Sequence, residues 1–131
     1  MKKLLTLTLL ILSPLIVAQE KEIWACQQTE VAGLIWGNGS WTPGDFGLTQ
    51  FLFTIDDSTA SMKLLGTDFT FRCDIGLENG VVIHNCSNTW GGMNFILNPE
   101  TGQAGFSALS GALQDDNKDT MITSVVQCTK F

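Results

Sequence analysis

The chain has no tyrosine, a single histidine (His84) and three prolines, and only 15% of its 131 residues are charged. It has no Cys-x-x-Cys pair, no Gly-x-Ser-x-Gly elbow and no phosphate-binding glycine loop. Each absence removes a class. One histidine and widely spaced cysteines are too few ligands for zinc, so no metal and no cofactor are expected. Without an elbow or a glycine loop, serine-hydrolase and nucleotide-binding chemistry lack their parts. Seven Lys and Arg stand against thirteen Asp and Glu. Nucleic acid and anionic membrane surfaces need clustered positive charge, so neither is an expected partner. With 44% hydrophobic residues the chain is too apolar for a disordered protein. No repeat or low-complexity stretch is present, and no window carries the 3.6-residue period of an amphipathic helix.

What is present begins with an apolar run over residues 4–17, preceded by Lys2 and Lys3 and followed by Ala18 and the polar Gln19-Glu20-Lys21-Glu22. This is the layout of a signal peptide over residues 1–18, cut after a small residue. The run is shorter than the roughly 20 residues of a spanning helix, so no membrane span is expected. Ile23-Trp24-Ala25-Cys26 loosely resembles a lipid-attachment site, but it follows polar residues rather than the apolar run. A periplasmic or secreted protein with one domain over residues 19–131 is expected. Losing the signal removes two lysines, leaving five Lys and Arg against thirteen acids, a charge of −8 where the whole chain has −6.

All four cysteines, Cys26, Cys73, Cys86 and Cys128, lie beyond the signal. An even number in a small exported domain predicts two disulfides. Asn79-Gly80 is the preferred pair for a two-residue hairpin turn. That turn sets Cys73 opposite Cys86 at a non-hydrogen-bonded pair, where side chains approach most closely. The same register puts Ile75 beside His84 and Leu77 beside Val82. Cys73–Cys86 is therefore predicted, and Cys26–Cys128 follows by elimination, tying the first strand to the last.

Period-two alternation recurs throughout. Residues 22–28 alternate Trp24 and Cys26 with Ile23 and Ala25. Residues 32–36 lead into Asn38-Gly39, a second hairpin turn that sets Trp36 opposite Trp41. Phe51, Phe53 and Ile55 share a face, and Asp56-Asp57-Ser58 turns the chain toward residues 61–65. Phe69, Phe71 and Cys73 point inward on the cleanest strand. Met93, Phe95 and Leu97, then Ala104, Phe106 and Ala108, flank a turn over residues 98–102, and residues 121–129 form the last strand. Eight or nine short strands with turns about every ten residues predict an all-β fold, a small antiparallel barrel or sandwich of about eight strands. The paired first and last strands favour the barrel.

Chemistry is sparse. His84 falls on the inward face, where a lone histidine is packed more often than catalytic. Asp56 and Asp57 lie in a turn, which suits solvation better than acid–base work. Asp115-Asp116-Asn117-Lys118-Asp119 has oxygen ligands at calcium-loop spacing but lacks the glycine and the distal glutamate of such a loop. Four tryptophans are many for this length. Trp24 reads as core, whereas Trp36, Trp41 and Trp90 lie at strand ends or turns, where indole rings serve either packing or a stacking platform for a ligand.

Trp24-x-Cys26, Trp36-x-x-Gly39-x-Trp41, Cys73, Cys86, Gly91-Gly92-x-x-Phe95, Thr101-Gly102, Ser107-x-Leu109, Gly111 and Cys128 together resemble a group of small exported bacterial proteins without an assigned activity. More distantly, size, acidity and a cystine-stapled all-β fold are similar to the periplasmic inhibitors of c-type lysozyme, small barrels that insert a loop into the lysozyme cleft. Ser107-Ala108-Leu109-Ser110-Gly111 echoes their serine- and glycine-rich motif, but Ala112 and Leu113 stand where an aromatic or basic residue is expected. The resemblance therefore implies a fold and a partner class, and no inhibitory residue. The expected protein is an exported, non-enzymatic binder. Its expected partner is a basic protein such as lysozyme or, in the competing reading, a small apolar ligand or glycan.

Overall fold

The computed structural model describes residues 20–88, 92–109 and 120–131. The expected signal peptide, Trp90 and the acidic segment 115–119 lie outside them. The strands in chain order are β1 (Glu22–Gly37), β2 (Ser40–Pro43), β3 (Gln50–Asp56), β4 (Thr59–Leu64), β5 (Thr67–Glu78), β6 (Val81–Ser87), β7 (Met93–Leu97), β8 (Gln103–Ala108) and β9 (Met121–Lys130). Among the described residues no helix is long and apolar enough to cross a membrane.

All pairings are antiparallel, and the sheet order runs β2-β1-β3-β4-β5-β6-β7-β8-β9. A long ladder between β1 and β9, from Trp24↔Lys130 to Leu34↔Met121, joins the ends. Eight strands thus close into an up-and-down barrel, and β2 pairs only with the tip of β1. Closure removes the edges of these eight strands wherever both neighbours run alongside, leaving only β2 and the strand overhangs with one side unpaired. Of the two architectures compatible with the sequence, the barrel is the one formed.

Both Asn-Gly turns are as expected. Asn38 and Gly39 have φ of 51° and 78°, and Asn79 and Gly80 have 52° and 81°. These left-handed pairs match the twist of a two-residue hairpin. Trp36 faces Trp41, and Cys73 faces Cys86, in the registers that the turns dictate. Both predicted disulfides are present, with Cα–Cα distances of 4.1 Å for Cys26–Cys128 and 4.0 Å for Cys73–Cys86.

One element differs from the alternation pattern. The stretches 22–28 and 32–36 are one sixteen-residue strand, because a bulge between Gln28 and Glu30 shifts the register against β9. Before it the even residues Trp24, Cys26 and Gln28 are buried. After it the inward positions are odd, with Val31 opposite buried Ser124 and Gly33 opposite Ile122. A bulge inserts one unpaired residue and so reverses the faces, which hides strand continuity from a period-two reading. Gly33 is small for a reason: a Cβ there would run into the Met121 carbonyl and the Phe46 ring.

The interior is aromatic and full. Phe53 lies 4.1 Å from Phe95 and 5.7 Å from Phe71 between ring centroids, and Phe51 lies 5.9 Å from Phe95 and 6.4 Å from Phe106. Trp24, Ile55, Met62, Leu97, Val126 and both cystines complete the core. Each fully buried large side chain contributes about 1.5–3 kcal/mol relative to exposure. An eight-stranded barrel is just wide enough to be filled in this way.

Candidate functional site

A filled interior moves any binding to the ends and the outer wall. The strand directions put the β1–β2 ribbon at one end. The other end collects the β3–β4, β5–β6 and β7–β8 turns with the start of β1 and the finish of β9.

At the first end, Trp36 and Trp41 form the predicted cross-strand pair, with ring centroids 5.2 Å apart and planes at 62°. Both rings are half-buried, and β2 reaches past the closed barrel. Cross-strand aromatic pairs stabilise a two-stranded ribbon by up to about 1 kcal/mol, so part of the role of this pair is structural. Trp90, the third predicted ligand residue, lies outside the described residues and cannot be joined to the other two. A loop over residues 44–49 folds back on β1, where buried Gln28 fastens it. Gln28 N donates to Thr49 O at 3.0 Å, Thr49 N donates to Gln28 Oε1 at 3.0 Å, and Gln28 Nε2 donates to Ser124 Oγ at 3.1 Å.

The second end is closed by a polar cluster over the Trp24 ring. Glu22, Trp24, His84 and Lys130 occupy inward positions where β1, β6 and β9 run out. Glu22 Oε1 accepts from Lys130 Nζ at 3.0 Å, and Glu22 Oε2 accepts from Trp24 Nε1 at 3.3 Å. His84 Nε2 stands 4.0 Å from the same carboxylate, with 12% of its side chain exposed. Lys130 Nζ also lies 5.8 Å from the Trp24 centroid. Partial burial raises the Glu22 pKa. The hydrogen bonds from Lys130 and Trp24 and the charges of Lys130 and His84 outweigh that, and the net value falls below the ordinary 4.5. The arrangement seals the barrel; the carboxylate is already engaged by its neighbours.

Beyond this seal the β5–β6 hairpin continues alone. β4 stops at Thr59↔Arg72 and β7 at His84↔Leu97, whereas β5 and β6 pair as far as Glu78↔Val81. Ile75 and Leu77 hold the same inward parity as Phe71 and Cys73, yet they are 66% and 76% exposed because the barrel ends beneath them. Their shared face with His84 and Val82 was legible from the turn. Their exposure was not, although six residues in β4 against twelve in β5 is the length mismatch that produces it.

Two further surfaces bear on binding. A groove of about 760 Å³ crosses the outer wall over Ala25, lined by Gln27, Gln50, Leu52, Lys63, Gln127 and Thr129. The groove forms because Ala25 is smaller than Thr129, Leu52 and Lys63 in the same row of the wall. A second groove of about 530 Å³ lies against Leu34, Leu109 and Met121 near the first end and is almost wholly apolar. Asp56 and Asp57 sit exposed in the β3–β4 turn, as their sequence setting suggested. Among the described residues no three His, Cys, Asp or Glu side chains converge on a metal position.

Comparison with protein-family models, with curated proteins and with solved structures returns no match.

Proposed function

We propose that this chain is an exported, non-enzymatic binding protein that engages a basic protein partner through its surface, a cell-wall hydrolase of the lysozyme type being the most concrete candidate. The observation that carries the reading is the filled barrel. Five phenylalanines and Trp24 occupy the space in which a ligand-carrying barrel of this strand number would hold its cargo. Net charge gives the partner its sign: −8 after signal removal steers encounters toward a cationic protein. The two cystines suit an oxidising compartment.

The alternative, a glycan or small apolar ligand, finds support in one feature, the Trp36–Trp41 pair on a ribbon beyond the barrel. Indole faces stack on sugar rings and apolar molecules alike. Lysis of cell walls by c-type lysozyme, followed with and without the protein at physiological salt, separates the two readings. Protection is expected on the first. Unimpeded lysis, joined to a tryptophan emission shift on adding cell-wall oligosaccharides, would replace it with the second.

A further inference from the structure

We infer that the free edge of β5 at the overhanging hairpin receives an extended, basic segment of a partner protein, laid down as one more antiparallel or parallel strand. The inference rests on the partner class proposed above and gives it an address. Cys73 and Cys86 form a non-hydrogen-bonded pair with β6, so Ile75 and Leu77 share that parity. Residues of this parity aim their main-chain N–H and C=O away from β6. For Cys73 that direction is occupied, since its N–H donates to Ser58 O at 2.8 Å. For Ile75 and Leu77 it opens on the side where β4 has already stopped. A length of β-strand edge therefore stands beside two exposed aliphatic side chains. Natural sheets usually shield such an edge with charge, proline or a covering segment, because an exposed one recruits strands.

Charge selects the occupant. The β3–β4 turn with Asp56 and Asp57 adjoins the open edge, since Thr59 pairs with Arg72 and Ser58 O accepts from Cys73 N–H, and Glu78 stands at the hairpin tip. Glu100, in the β7–β8 turn, adds a further carboxylate at the same end of the barrel. Of the cations at this end, Lys130 is held by Glu22 and Lys21 lies beside Asp56, which leaves Asp57 and Glu78 as the carboxylates most open to a partner. A segment alternating aliphatic residues with Lys or Arg meets all three demands: main-chain pairing with residues 75–77, apolar contact with Ile75 and Leu77, and ion pairs to Asp57 and Glu78. Main-chain pairing supplies affinity in this mode, and alternate side chains supply selectivity.

The test uses the full mature protein, isotope-labelled for amide NMR, titrated with c-type lysozyme and separately with a peptide of alternating lysine and valine. Peptide-induced shifts should concentrate on residues 73–84 and on Asp57. Leu77→Pro removes an N–H that the β6 ladder does not use. It should weaken peptide binding by about tenfold or more while the thermal midpoint stays put. If that variant loses the hairpin, Leu77→Asp carries the same expectation without touching the backbone. Shifts elsewhere, no shifts, or unchanged affinity in the folded variant would overturn the inference. Lysozyme separates the two levels. Failure of the wild type to bind it sinks the hydrolase partner alone, and wild-type binding that Leu77→Asp leaves intact sinks the edge alone.

Discussion

Buried polar residues show most directly what holds this barrel together. Gln28 is 4% exposed, and its amide joins three segments by bonding Ser124 on β9 and Thr49 in the returning loop. Gln28→Leu keeps the volume and strands both partners. A buried group left without its hydrogen bond costs about 1–3 kcal/mol. The urea midpoint should fall by a corresponding amount with the slope unchanged; an equal midpoint would mean that the loop is not fastened there. Glu22 provides the pH signature. Its folded-state pKa lies below the ordinary 4.5, so it stabilises fully above that value. The contribution is lost as pH falls through the lower folded value. The carboxylate is 29% exposed, and screening keeps the effect small. Wild type should therefore exceed Glu22→Gln in stability at neutral pH, and the two acid-unfolding curves should converge at low pH. A gap that widens on acidification would reverse the assigned sign. Gly102 shows a backbone constraint: its φ is 72°, a Cβ there would strike the Cys128 carbonyl oxygen, and the Cys128 N–H donates to Gly102 O.

At the level of elements, turns made the registers readable. Asn38-Gly39 and Asn79-Gly80 each specify a two-residue hairpin, and counting outward from them reaches the tryptophan pair and the first disulfide. Elements without a strong local signal were less legible. The bulge at Gln28/Glu30 carries no glycine or proline and inverts the alternation in the middle of β1. The β4–β5 turn is another case. Leu65 and Gly66 adopt φ of 51° and 80°, a geometry that asparagine signals and leucine conceals. Leucine in the left-handed region costs about 1–2 kcal/mol, and this side chain recovers little by burial at 85% exposure. Leu65→Asn should raise stability by about 1 kcal/mol in a denaturant melt. A loss instead would show that Leu65 makes a contact worth more than its strain. Where a strand overruns its neighbour, sequence gives the face of each residue and leaves its burial undetermined. That is why the register puts Ile75 and Leu77 on the face of Cys73 and Cys86, and yet both emerge as surface. The candidate tryptophans divide in the same way, since Trp36 and Trp41 come together through a local turn, whereas any approach of Trp90 depends on long-range geometry.

Over the whole molecule, closure is the dominant fact. β9 returns beside β1, and Cys26–Cys128 fixes that seam across a separation of 102 residues. Cys73–Cys86 spans only 13. In the chain-entropy model the longer loop is worth about 4–5 kcal/mol and the shorter about 3. Replacing Cys26 and Cys128 by alanine should therefore lower stability more than replacing Cys73 and Cys86. The opposite order would mean that native packing around the hairpin cystine outweighs loop length. A barrel closed and filled in this way leaves rims and outer walls for binding, and the cationic partner proposed above rests on its surplus of carboxylates. Size-exclusion chromatography of the oxidised mature protein mixed with c-type lysozyme, at low and at physiological salt, tests that conclusion most directly. A complex that survives physiological salt is the expected result. Co-elution confined to low salt would reduce the interaction to unspecific attraction between opposite charges, and separate peaks at both salts would contradict a lysozyme-type partner outright.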